Sequence, residues 1–196
     1  SKHVDGIHIE HAMRYGNPSI RKGLDNLREA GVTELLLLPM FPHHAQATTE
    51  TALKHAYKEM KAMSWQPKTI EMGHFPTDEN YINPLAKSIE SHLTEGTHLL
   101  YSYHGLPVSH VKRIDASKKH CQKAADCCSV SCSANELCYG RHCMETSIAV
   151  SEKLGLPADR WSLSFQSRLG PVKWLTPSTT DKVKELVERG VRDLAI

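Results

Sequence analysis

Histidine, arginine and cysteine are the side chains whose settings here could support chemistry. His104 follows the run Thr97-His-Leu-Leu-Tyr-Ser-Tyr and precedes Gly105 and Pro107. That run has the length and β-favouring composition of a buried strand. The glycine and proline stop it and force a turn. In open α/β sheets, ligands bind beyond the carboxyl ends of the strands. A histidine at that place faces the crevice, with a ring that titrates near neutrality and ligates metals. A turn histidine held by a neighbouring carbonyl is the plainer reading of the same stretch. Arg14 stands where a strand-like start turns into a helix, in Arg14-Tyr15-Gly16-Asn17-Pro18. A guanidinium beside a helix N-terminus favours an anion, although a solvated or ion-paired arginine fits equally well.

The cysteines are the third group. All six fall between Cys121 and Cys143, spaced Cys121-x5-Cys127-Cys128-x3-Cys132-x5-Cys138-x4-Cys143. This is not the paired C-x2-C of a zinc ribbon. Asp126, Ser129, Ser131, Ser133 and Asn135 interleave with them. Such a polar segment has little apolar area with which to order itself, so a metal or covalent link must supply the constraint. Clustering without an export signal argues for a reduced compartment, and for a metal over disulfides.

The elements that must position these groups follow from the rest of the chain. Its 196 residues suit one large domain or two small ones, and 40% hydrophobic residues are enough for a core. A net charge of +2 is too mild to imply nucleic acid. No apolar run approaches the roughly 18 residues of a membrane span, and the N-terminus lacks an apolar signal core. Asn17 is a plausible N-cap with Pro18 at the first helical position; Ile20, Leu24 and Leu27 then recur on one face up to Gly31. Glu34 to Leu38 is a continuous apolar run, the pattern of a strand covered on both faces. A loop with Phe41, His43 and His44 leads to a helix whose buried stripe is Ala52, Leu53, Ala56, Tyr57 and Met60. A weaker strand at 67–72 and a helix with Ile82, Leu85, Ile89 and Leu93 precede the His104 strand. After the cysteines come a helix, the strand Trp161-Ser-Leu-Ser-Phe, a helix capped by Thr179 or Thr180, and a strand beginning near Arg192. This β-α alternation predicts parallel sheets wrapped by helices. No Gly-x-Gly-x-x-Gly or Walker motif supports a nucleotide cofactor.

Three separated motifs resemble one family: Met13-Arg-Tyr-Gly-Asn-Pro, Tyr101-Ser-Tyr-His-Gly-Leu-Pro, and Phe165-Gln-Ser-Arg-Leu-Gly-Pro-Val-Lys-Trp-Leu-Thr-Pro. The Leu38-Pro-Met-Phe-Pro loop leading to Thr48-Thr49 also fits. Their order and spacing are similar to those of the ferrochelatases, which insert Fe(II) into a porphyrin in haem synthesis. The resemblance implies an α/β fold of two Rossmann-like domains, with 1–72 belonging to the first and 73–196 to the second. It also implies a chain that lacks family segments at both ends, including the carboxylate that faces the histidine. His104 looks like the active-site histidine, metal ligand for Fe(II) and acceptor of pyrrole protons. Arg14 looks like the arginine near the porphyrin, Phe41 stands where an aromatic is common, and Trp174 looks like the tryptophan that packs on the macrocycle. Porphyrin and ferrous iron are the expected partners. A cytoplasmic location is expected, and the poor solubility of porphyrins leaves room for contact with a membrane surface.

Some members of the family carry a [2Fe–2S] cluster on four cysteines, and the resemblance extends that expectation to a cysteine-rich insertion at 116–143. Cys121, Cys132, Cys138 and Cys143 are the favoured ligands, with Cys128 as the substitute. Zinc with His142 is the second choice, and free thiols or disulfides the third. The competing functional class is a non-catalytic metal-binding or redox-sensing module on the same scaffold.

Overall fold

The computed structural model describes residues 2–4, 6–124 and 126–196; Ser1, Asp5 and Ala125, the last inside the expected insertion, lie outside the described residues. The chain divides into two compact units, Ser1–His74 and Phe75–Ile196.

In the first unit, β1 (Lys2–Val4) pairs antiparallel with β2 (Ile7–Ile9). α1 (Ile20–Glu29) buries Ile20, Leu24 and Leu27, the expected stripe. Its cap is Ser19 rather than Asn17: the Ser19 hydroxyl accepts the Lys22 N–H at 3.2 Å, satisfying a donor that the first turn leaves open. The Asn17–Pro18 bond is cis and lies ahead of this cap. β3 (Glu34–Leu37) runs parallel to β4 (Lys68–Glu71), with Leu36 beside Ile70. Between them a wide π-type turn at Gln46–Glu50 opens α2 (Thr51–Ala62). Leu35, Ala56, Met60 and Met63 close a core with the α1 stripe. The strand expected to be covered on both faces is covered on one. Leu36 is 58% exposed and Ile70 54%, because alternation sends them away from the face on which α1 and α2 pack. Tyr57, expected inside, is exposed, and its hydroxyl donates to Glu71 at 2.6 Å.

In the second unit, β5 (His98–His104) is the middle of a parallel sheet ordered β6-β5-β7, with β6 at Trp161–Gln166 and β7 at Leu194–Ala195. Successive side chains of β5 face opposite sides. On one side Leu99 and Tyr101 pack with Ile82 and Ala86 of α3 (Glu79–Glu90) and Val150 of α5 (Tyr139–Lys153). Tyr101 and Tyr103 bond the α5 hydroxyls of Ser151 and Ser147, at 2.8 and 3.0 Å. On the other side Ser102 bonds Thr179 of α6 (Thr179–Glu188) at 2.8 Å. That contact explains why Thr179 does not cap α6. Its hydroxyl is taken by Ser102 and Ser164, and Ser178 accepts the Asp181 N–H instead. A short helix that the periodicity did not announce, α4 (Val108–Ile114), follows Pro107 and buries Val108 and Val111.

Candidate active site

β5 delivers His104 at its carboxyl end, beside Gln166 at the end of β6. The imidazole is exposed, and its Nδ1 lies 2.7 Å from the Gly105 carbonyl oxygen. A carbonyl only accepts, so Nδ1 carries the proton and Nε2 presents the lone pair. The plainer expectation, a carbonyl-held turn histidine, and the chemical one therefore coincide: the same bond that holds the ring selects the basic nitrogen. The peptide between His104 and Gly105 is held at both ends. Gly105 N–H donates to the Gln166 carbonyl at 2.7 Å, and the Tyr139 hydroxyl donates to the His104 carbonyl at 2.8 Å. Gly105 is required by space. A Cβ there would meet the Gln166 carbonyl oxygen at 2.8 Å and Trp174 Cε3 at 3.3 Å.

Trp174 is thus brought against the His104 turn. Its segment straps that turn through Val108 N–H to the Lys173 carbonyl and Leu175 N–H to the Leu106 carbonyl, at 2.8 and 3.0 Å. The Trp174 indole N–H donates to the Leu169 carbonyl at 2.8 Å, which fixes the ring's edge and leaves it half-buried. Gln166, Leu169 and Tyr139 were not singled out from the sequence. Tyr139 lies 35 residues from its partner, and no spacing rule reaches that far.

Arg14 and Phe41 belong to the first unit. The Arg14 guanidinium carbon sits 4.6 Å from the centre of the Tyr15 ring, a cation–π contact. Its Nε is buried with no hydrogen-bond partner, a donor that costs energy unless something accepts from it. Phe41 is 36% exposed in the loop after β3. A cavity of about 330 Å³ in the second unit lies among α3, β5 and the Ala195–Ile196 end; Tyr81, Leu85, Tyr101 and Tyr103 line it, and neither His104 nor Trp174 does.

The cysteines are all free thiols. Cys143, expected in the insertion, is in α5, fully buried with Val111, Phe165 and Leu175, since the helix begins at Tyr139. Burial pushes its thiol up, while the Tyr139 hydroxyl acts in the opposite sense. Cys121 is pushed up to about 11, by burial first and then by Cys138 and Cys127. Cys128 and Cys138 share a hydrogen bond that raises the Cys128 thiol and lowers that of Cys138, the Arg141 and Gly140 N–H groups adding to the latter. Cys127 and Cys128 sulfurs are 3.9 Å apart, and the Cys132 sulfur is 3.8 Å from the His120 ring nitrogens. Asp115 ties the segment's start, accepting from Ser117, His120 and Cys121. Among the described residues, no three His, Cys, Asp or Glu side chains converge on one metal position. The donor chemistry suits a cluster; the four favoured sulfurs are not gathered as ligands. His142, the zinc alternative, is buried with Nε2 donating to the Glu136 carbonyl at 2.8 Å. No helix among the described residues is long and apolar enough to cross a membrane.

Comparison with known proteins adds family evidence. A family model described as Ferrochelatase matches residues 1–196. Curated relatives named ferrochelatase include those of Stutzerimonas stutzeri, 38% identical over 190 residues, and Ectopseudomonas mendocina, 37% identical over 190 residues. The protein of Pseudomonas syringae pv. tomato is 35% identical over 189 residues. Each alignment covers 96% of this chain and 56% of the relative, so the chain spans about half the length of the curated relatives it matches.

Proposed function

This chain belongs to the ferrochelatase family, and on that premise we propose that the protein of which it forms part inserts Fe(II) into a porphyrin, protoporphyrin IX or coproporphyrin III, releasing two protons. The observation that carries this is the His104 ring. Nδ1–H is committed to the Gly105 carbonyl, so Nε2 at the exposed end of β5 is the atom available to take a pyrrole proton or to meet the metal. Trp174 supplies an aromatic surface next to that turn, as a flat apolar macrocycle requires. Arg14, with an unmatched donor, and Phe41 are the first unit's contributions to porphyrin binding. The two units correspond to parts of two Rossmann-like domains. The reaction's place is the cytoplasm.

The experiment is direct. Protoporphyrin IX or coproporphyrin III is mixed with the full-length protein and Fe(II) or Zn(II), and the absorbance change of metalloporphyrin formation is followed. Metal uptake without any metalloporphyrin would leave the non-catalytic metal-binding reading.

A [2Fe–2S] cluster on Cys121, Cys132, Cys138 and Cys143 is proposed on donor chemistry alone: all six thiols are uncrosslinked, five of them ahead of α5 and Cys143 within it. Cluster formation would require these sulfurs to draw together. Elemental analysis of anaerobically purified protein is expected to find about two iron and two sulfide per chain; one zinc and no sulfide would replace the cluster with zinc.

A further inference from the structure

We infer that Tyr139 is a positioning residue for His104, and that it physically joins the cysteine segment to the histidine's end of β5. The inference deepens the reading above and rests on it for the role of His104. Three bonds meet at one peptide unit. The Tyr139 hydroxyl donates to the His104 carbonyl at 2.8 Å, Gly105 N–H donates to the Gln166 carbonyl at 2.7 Å, and the next carbonyl, that of Gly105, receives His104 Nδ1–H at 2.7 Å. The first two pin the plane of the His104–Gly105 peptide from opposite ends. The orientation of that plane constrains where the Gly105 carbonyl points, and the carbonyl selects which imidazole nitrogen is bare. Glycine at 105 has no side chain to hold this geometry, and the Cβ that would restrict it has no room. The restraint therefore comes from outside the turn, from β6 on one side and Tyr139 on the other.

Tyr139 is itself placed by the segment that precedes it. It is the first residue of α5, directly after Cys138, whose thiol bonds Cys128. Its ring packs with Val111, Phe165 and Leu175, and its hydroxyl also interacts with the Cys143 thiol one turn on. Any rearrangement of Cys138 moves the start of α5 and with it the hydroxyl on His104. Tyr103, by contrast, bonds Ser147 deeper along the same helix.

Tyr139→Phe removes the donor and keeps the ring. In the folded variant, long-range proton–nitrogen NMR of His104 is expected to lose the pure Nδ1–H tautomer pattern seen in the parent protein, with Nε2–H becoming populated. Ser147→Ala, which removes a hydroxyl two turns along α5, is expected to leave that pattern unchanged. A His104 spectrum in Tyr139→Phe identical to the parent's would overturn the inference, as would an equal change in Ser147→Ala. If the phenylalanine variant does not fold, 3,5-difluorotyrosine at position 139 keeps the shape and strengthens the donor. The His104 carbonyl carbon resonance should then shift, and no shift would mean that the bond is absent. Failure here is distinguishable from failure of the proposed reaction. If His104→Ala keeps full metal insertion, the role of His104 falls while the tautomer result stands. If His104→Ala abolishes insertion but Tyr139→Phe leaves the tautomer untouched, only the positioning role falls.

Discussion

His104 is exposed and its ring bonds its own neighbour's carbonyl, so the fold loses little when the ring is removed. His104→Ala is expected to change stability by no more than about 0.5 kcal/mol while lowering metalloporphyrin formation by roughly 10²–10⁴-fold, the range of a lost acid–base group. Parent-like insertion in a folded variant would remove His104 from the reaction. Gly105 presents the opposite balance. Alanine there places a Cβ 2.8 Å from a main-chain oxygen and 3.3 Å from the Trp174 ring. Neither the end of β6 nor the strapped turn can yield without breaking its own hydrogen bonds. Gly105→Ala is expected to cost about 1–3 kcal/mol, read as a lower urea midpoint at constant slope. A loss under about 0.3 kcal/mol would mean the turn has slack that the contacts do not suggest.

At the scale of elements, the cysteine segment hangs between α4 and α5, and Asp115 at the end of α4 organises its first turn. The Asp115 carboxylate is held well below its usual range, first by the Ser117 hydroxyl and then by the Cys121, His120 and Ser117 N–H groups. A depressed carboxylate contributes stability that is present above the unfolded value near 3.9 and is lost as pH falls through the folded value. The parent protein should therefore show a falling stability limb below about pH 4. Asp115→Asn should lower the melting temperature at neutral pH and flatten that limb; parallel pH profiles for the two proteins would dismiss the role of Asp115. The strands and most helices were legible from pattern, because β5 is largely apolar, β6 alternates and α1 carries apolar periodicity; the buried face of α5 was not, since it carries His142, Cys143, Thr146, Ser147 and Ser151 beside Val150. What was not legible depends on contacts distant in sequence. Thr179 reads locally as a cap, yet Ser102 and Ser164 claim its hydroxyl. Cys143 reads as part of a ligand series, yet α5 carries it into the core. His104 and Trp174 were legible as candidates, and the turn that brings them together required Gly105 and strand pairing to be seen.

On the scale of the whole molecule, each unit carries a core of its own. Ile20, Leu24, Leu27, Leu35, Ala56, Met60 and Met63 form that of Ser1–His74, whereas Leu99, Tyr101 and Val150 anchor one in Phe75–Ile196. Each is built from parallel strands whose inward side chains meet helix stripes. Leu24 sits near the middle of the first, 4% exposed, where a truncated side chain leaves a void that α1 and α2 cannot close without shifting. Leu24→Ala is expected to cost about 2–5 kcal/mol. Because stability is distributed in cooperative units, the cost should appear as faster amide hydrogen exchange in α1, β3 and α2, with the β5 and β6 amides keeping their protection. Equal acceleration in β5 and β6 would show that the two cores open as one cooperative unit, and the His104 turn would then share the stability of a helix stripe some eighty residues earlier in the sequence.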